Sequence, residues 1–143
     1  MPKNHLSENE MDTLVKTIHQ TEECTSGEIR IHIDTEEAAI PAQKAMNIFH
    51  ELGMHKTKER NAVLFYVHFH QKYLTIIGDE GIHQWVHQSF WDELHDEMTQ
   101  KFAQERYFDA LNDAVKKTGE QLQKYFPNTE NKENELPNEL SFS

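Results

Sequence analysis

The sequence predicts an α/β domain, a three-layer α/β/α sandwich around a small mixed sheet of three to four strands. Three observations carry this reading. Helical and strand-like segments alternate early in the chain, the pattern that layers helices over a sheet. Ala62-Val63-Leu64-Phe65-Tyr66-Val67 is apolar almost throughout, as a central strand covered on both faces requires. A three-residue polar break, His70-Gln71-Lys72, separates it from Tyr73-Leu74-Thr75-Ile76-Ile77, the spacing of a hairpin.

The first helix is announced by Ser7-Glu8-Asn9-Glu10, a capping box in which hydroxyl and carboxylate each satisfy an orphan amide. Met11, Leu14, Val15 and Ile18 follow at helical spacing, so the helix runs from about Glu8 to Glu23, and Thr25-Ser26-Gly27 breaks it. Glu28-Ile29-Arg30-Ile31-His32-Ile33-Asp34 alternates polar with apolar, a strand with one buried face. Ala38 to Leu52 reads as the second helix, with Pro41 tolerated in its first turn and Gly53 suited to its end. A helix between two strands makes them parallel, with a right-handed crossover. The hairpin then sets the third strand antiparallel to the second. A fourth, short strand is allowed but has no evident place.

Gly78-Asp79-Glu80-Gly81 ends the third strand. Ile82, Trp85, Val86 and Phe90 begin a helical region that Ser89 and Asp92 restart, and Trp91, Leu94, Met98 and Phe102 continue it. A last helix starts near Tyr107, buries Phe108, Leu111, Val115 and Leu122, and stops before Pro127. One domain therefore spans residues 1–127. Residues 128–143, rich in Asn, Glu and Pro, are expected to be a disordered acidic tail.

Composition narrows the function. The chain of 143 residues carries 25 acidic and 14 basic residues, a formal net charge of −11. That balance opposes docking on nucleic-acid phosphates or anionic lipid. No apolar run approaches the roughly 20 residues that span a bilayer, and no apolar stretch follows Met1. A cytoplasmic monomer without nucleic-acid or membrane partners is expected, with an unidentified protein partner left open. Cys24 is the single cysteine, so no internal disulfide forms; a buried or half-buried thiol fits it better than a nucleophile.

Topology then places the chemistry. The starts of the two parallel strands and the end of the third share one sheet edge. Ser26-Gly27-Glu28, Arg60-Asn61 and Gly78-Asp79-Glu80-Gly81 should converge there. Carboxylates at Glu28, Asp79 and Glu80, with the Asn61 amide, are oxygen ligands of the kind that hard cations such as Ca²⁺ and Mg²⁺ prefer. The simpler alternative is a turn in which Asp79 only caps the following helix.

Thr25-Ser26-Gly27-Glu28-Ile29, Leu52-Gly53-Met54 with Thr57, Arg60-Asn61-Ala62-Val63-Leu64 and Ile77-Gly78-Asp79-Glu80-Gly81-Ile82, in this order, resemble the TPM-domain family. The resemblance covers roughly Leu6 to Phe126. It implies an α/β/α sandwich and divalent-cation binding, with acid phosphatase activity described for the plant-type member. It falls on Gly27, Glu28, Asn61, Gly78, Asp79 and Gly81. Many relatives carry an acid where Arg60 stands, which would remove one anionic ligand here. Many also carry a signal peptide and a membrane or glycine-rich tail, so a membrane-repair role does not carry over.

Three functions follow as expectations. The first is a binding or accessory module taking Ca²⁺ or Mg²⁺ weakly at Glu28, Asn61, Asp79 and Glu80. The second is a metal-assisted phosphatase with Arg60 steadying the phosphate. The third is an interaction domain with no metal site. The histidines are read more plainly. His68 and His70 are expected as solvated loop residues, and His83 and His87 as an exposed helical face. Trp85, Phe90, Trp91 and Phe102 are expected in the core.

Overall fold

A computed structural model describes residues 5–128 and 140–143. The elements are α1 (Glu8–Glu22), β1 (Glu28–Ile33), α2 (Pro41–Glu51), a 3-10 turn at Met54–Lys56, β2 (Ala62–His68), β3 (Tyr73–Gly78), α3 (Glu80–Ala103), α4 (Tyr107–Tyr125) and β4 (Leu140–Phe142). Strand order is β3-β2-β1-β4. β1 pairs parallel with β2 and with β4, and β2 pairs antiparallel with β3. The α/β/α sandwich with a mixed sheet is the predicted architecture.

Its layers follow from side-chain alternation. Ile29, Ile31 and Ile33 of β1, with Val63, Phe65 and Val67 of β2, face one side of the sheet. Leu14 and Ile18 of α1, Leu94 and Met98 of α3, and Leu111 and Val115 of α4 close over them. Ala62, Leu64 and Tyr66 face the other side, under Ala45, Ile48 and Phe49 of α2 and Met54 of the 3-10 turn. The capping box at the start of α1 forms as its residues dictate: the Glu10 amide donates to Ser7 Oγ at 3.0 Å and the Ser7 amide to Glu10 Oε1 at 2.9 Å.

Four expectations are corrected. First, β1 is buried on both faces. Its polar residues Glu28, Arg30 and His32, and the following Asp34, are all buried, because β1 lies between β2 and β4 with α2 over that side. Second, residues 128–143 are not wholly a tail: Leu140–Phe142 form β4, an edge strand added beside β1, and Leu140 packs against the main core. The remainder of that expected tail, 129–139, lies outside the described residues. Third, Trp85 is not in the core: α3 breaks at His87, whose φ of 65° and ψ of 170° are not helical, close to the restart expected at Ser89. The break shifts the helical phase, so Trp85 is 51% exposed and stacks on Tyr125 at 5.0 Å, whereas Trp91 stays in the core. Fourth, Cys24 is exposed, since the chain turns there into the loop before β1.

Among the described residues, no helix is long and apolar enough to cross a membrane.

Candidate functional site

The three segments expected at one sheet edge do meet. Glu28 pairs with Ala62 in the register of β1 and β2. The Asp79 amide donates to Ala62 O at 2.9 Å, and the Gly81 amide to Arg60 O at 2.8 Å. Gly81 is required by this contact. A Cβ there would lie 2.1 Å from Glu59 O and 2.5 Å from Arg60 O, far inside van der Waals contact. The start of α3 is thereby pressed against the 59–60 loop.

That approach delivers Arg60 to Asp79. Arg60 Nε donates to Asp79 Oδ2 at 2.7 Å and Nη2 to Oδ1 at 2.8 Å, a two-pronged guanidinium–carboxylate pair. Arg60 Nη1 also reaches Glu80 Oε1 at 3.2 Å. Asp79 Oδ1 further accepts the Glu80 amide at 2.8 Å, as the cap of α3. Arg60 takes a positive φ of 54° to reach this position, a conformation rare for residues with a side chain and frequent where a site holds strain. Asp79 is buried, Glu80 lies in solvent, and Arg60 is partly exposed.

The other two expected ligands stand apart. Strand alternation puts Asn61 out of phase with Glu28, Ala62 and Asp79. Its amide nitrogen donates instead to Ser26 Oγ at 3.1 Å, and its buried Oδ1 meets no hydrogen-bond donor among the described residues. Glu28 is buried on the α2 side of β1, with no exposed face toward the edge.

A second polar cluster, not anticipated from the sequence, lies at the opposite ends of β1 and β2. The Asp34 side chain is closed off from solvent. Tyr66 Oη donates to its Oδ2 at 2.6 Å, the Glu36 amide to its Oδ1 at 2.9 Å, and Lys44 Nζ sits 3.0 Å from Oδ2. Burial works against the charge, but these donors win and hold Asp34 down to about 2. Tyr66 is pushed above its ordinary range by burial and by the carboxylate beside it. His32, two residues before Asp34, hydrogen-bonds Ser141 Oγ at 2.9 Å and Ser143 Oγ at 2.6 Å, tying β4 to β1. Burial lowers its pKa below 6.5, although Asp34 opposes the shift.

The sequence profile of the TPM domain matches residues 2–121, more than half of the chain. The chain belongs to the TPM-domain family. An NMR structure of the BA42 protein from the psychrophilic bacterium Bizionia argentinensis is similar, with 36% identity, a TM-score of 0.90, and coverage of 100% of this chain and 99% of that one. The N-terminal domain of a P. gingivalis protein shares the fold at 14% identity, with a TM-score of 0.70 over 86% of this chain and 80% of that one. No curated protein matches.

Within this TPM domain the Asp79 carboxylate is engaged by the Arg60 guanidinium. Both Asp79 oxygens already accept from Arg60, and among the described residues no group of three or more His, Cys, Asp or Glu is placed to hold a metal. Two imidazoles also flank the edge. His50 and His55 lie edge to face at 4.5 Å, and His55 is held below 6.5 by burial first and then by His50, Lys56 and Arg60.

The remaining histidines of the TPM domain differ from expectation. His68 is fully buried: its Nδ1 accepts from the Gln71 amide at 2.9 Å, so its Nε2–H donates to Glu36 O at 2.9 Å. It bolts the hairpin to the loop after β1, while His70 remains exposed. His83 is half-buried, and its Nδ1 accepts from Trp91 Nε1–H at 3.1 Å. The break at His87 removes the expected alignment of His83 with His87.

Proposed function

We propose that this TPM domain is a binding module in an accessory role, whose Asp79–Glu80 edge takes Ca²⁺ or Mg²⁺ weakly and only in exchange for Arg60. The observation that supports this reading is the two-pronged Arg60–Asp79 pair with its third contact to Glu80. A guanidinium neutralises the adjacent carboxylates as an internal counter-ion. An incoming cation must displace it before either carboxylate becomes a ligand. Two neighbouring carboxylates supply only part of the 6–8 oxygens that calcium takes, so water must complete the shell and affinity stays low. Glu28 and Asn61 act here as supports of the strand ends rather than as ligands.

The test is an amide NMR titration with Ca²⁺ and with Mg²⁺, against a monovalent-salt control, on the native chain and on Arg60→Asn. Asparagine tolerates the positive φ at this position. The native chain should show weak, chelator-reversible shifts confined to Arg60–Asn61 and Gly78–Gly81. Arg60→Asn should bind roughly tenfold more tightly, because a like charge beside the ion is gone. Equal affinity in the two chains would overturn the exchange, and shifts spread over the acidic surface would overturn the site.

A further inference from the structure

A cleft of about 900 Å³ opens beside the sheet, away from the Arg60–Asp79 edge. It runs between the β2–β3 hairpin, the last turns of α3 and the first turn of α4. This volume lies in the range of small-molecule sites. The cleft differs from the rest of the molecule in two respects.

The first is its rings. Phe69, Tyr73, Phe102 and Tyr107 line it. Phe102 and Tyr107 meet at 5.4 Å and Phe69 and Tyr107 at 5.0 Å, both steeply inclined. These rings are only partly buried although they pack on the core. A planar aromatic guest would extend an array whose geometry is already favourable.

The second is its charge. In a chain of net charge −11, the cleft is locally balanced: one carboxylate, Glu105, and one ammonium, Lys72, line it, together with the imidazoles of His5, His68 and His95. Lys72 is exposed at the hairpin turn and has no ion-pair partner among the described residues. Both Lys72 and Glu105 hold positive φ, 53° and 60°, in the turns that close the β2–β3 hairpin and the end of α3.

The strand edge adds a fixed donor. Because the Asp79 amide bonds Ala62 O, the hydrogen-bonded pairs of this ladder are Ala62 with Asp79, then Leu64 with Ile77 and Tyr66 with Thr75. Leu74 is out of that phase, so its N–H and C=O turn toward the open edge of β3. His95 Nε2 already hydrogen-bonds Leu74 O at 2.8 Å. The N–H of Leu74 faces the cleft beside Lys72.

We propose that this cleft binds a small planar aromatic carboxylate, with its ring against Phe102 and Tyr107 and its carboxylate held by Lys72 and the Leu74 amide. A single fixed N–H beside one flexible ammonium suits a carboxylate.

An amide NMR titration with indole-3-acetate tests the proposal, with neutral indole and cyclohexanecarboxylate as companions. Saturable shifts are expected at Lys72–Thr75 and Thr99–Tyr107 with indole-3-acetate. Indole and cyclohexanecarboxylate should each bind more weakly. Lys72→Asn, an exposed change compatible with positive φ, should weaken indole-3-acetate roughly tenfold and leave indole unaffected. Phe102→Ala should weaken both, with its folding checked by the dispersion of the amide spectrum. No saturable shift with indole-3-acetate would overturn the proposal. So would equal binding of indole, which would show that charge is not read, or of cyclohexanecarboxylate, which would show that the ring is not.

Discussion

Replacing Asp34 by Asn removes a buried charge while keeping shape, and the structure sets the cost. The native carboxylate falls from an ordinary 3.8 to about 2. Each pKa unit is worth about 1.4 kcal/mol, so the charged form contributes about 2 kcal/mol of stability near neutrality. The Asn amide also points two hydrogens into a site built from donors, Tyr66 Oη and Lys44 Nζ. A further loss of about 1 kcal/mol follows from the bond that is not replaced. Urea unfolding at pH 7 should show Asp34→Asn weaker by about 3 kcal/mol. The sign of the pH dependence is fixed as well. A depressed carboxylate stabilises above its unfolded pKa and loses that contribution as pH falls through its folded pKa. The gap between native and variant should therefore narrow from about pH 4 to about pH 2. Taking the difference cancels the other carboxylates. A variant within about 0.5 kcal/mol of native at pH 7, or a gap that does not change with pH, would refute the reasoning.

Three further outcomes are expected. Tyr66→Phe deletes the 2.6 Å bond to Asp34 and should cost about 1.5–3 kcal/mol by denaturant midpoint, the worth of a hydrogen bond to a charged group. Gly81→Ala places a Cβ 2.1 Å from Glu59 O, a backbone atom, so the 59–60 loop must move; a loss of about 1–3 kcal/mol and amide shifts at Arg60 and Asn61 should report it. For His32 the folded pKa lies below 6.5, so the unfolded chain binds the proton more readily; stability present above pH 6.5 is lost as pH falls toward the folded pKa, and the hydrogen-exchange protection of Leu140–Phe142, measured against the intrinsic rate at each pH, should fall in step.

The fold was largely legible because its signals are local. The capping box of α1, the alternation of Ile29, Ile31 and Ile33, and the apolar run of β2 each determine an element without help from the rest of the chain. Connectivity then gave the parallel and antiparallel pairings, and with them the convergence of the three segments at one edge and the meeting of Arg60 with Asp79. Register was not legible. The pairing of Glu28 with Ala62 rather than Asn61 is a one-residue matter that no local pattern encodes, yet it puts Asn61 out of phase with the carboxylates. The Asp34 cluster escaped notice because its partners are far apart in sequence: Tyr66 is 32 residues away, and Ser141 lies 109 residues from His32. Its signals were present but weak, a lone hydroxyl in an apolar strand and a His-x-Asp at a strand end. The fourth strand was allowed for but could not be placed, for a related reason. A three-residue strand of Leu-Ser-Phe has no periodicity to read, and its place depends on the open edge of β1.

In the function proposed above, Arg60 serves as the internal counter-ion of the Asp79–Glu80 edge and yields to a divalent cation. The most direct measurement follows the Arg60 Nε–H resonance while Mg²⁺ or Ca²⁺ is added. Exchange of Arg60 for the cation requires a downfield, slowly exchanging Nε–H in the absence of cation, lost in proportion to the shifts at Asp79 and Glu80 and restored by chelator. An Nε–H that keeps its shift while Asp79 and Glu80 respond would contradict the exchange. An Nε–H in rapid exchange with water before any cation is added would contradict the ion pair itself.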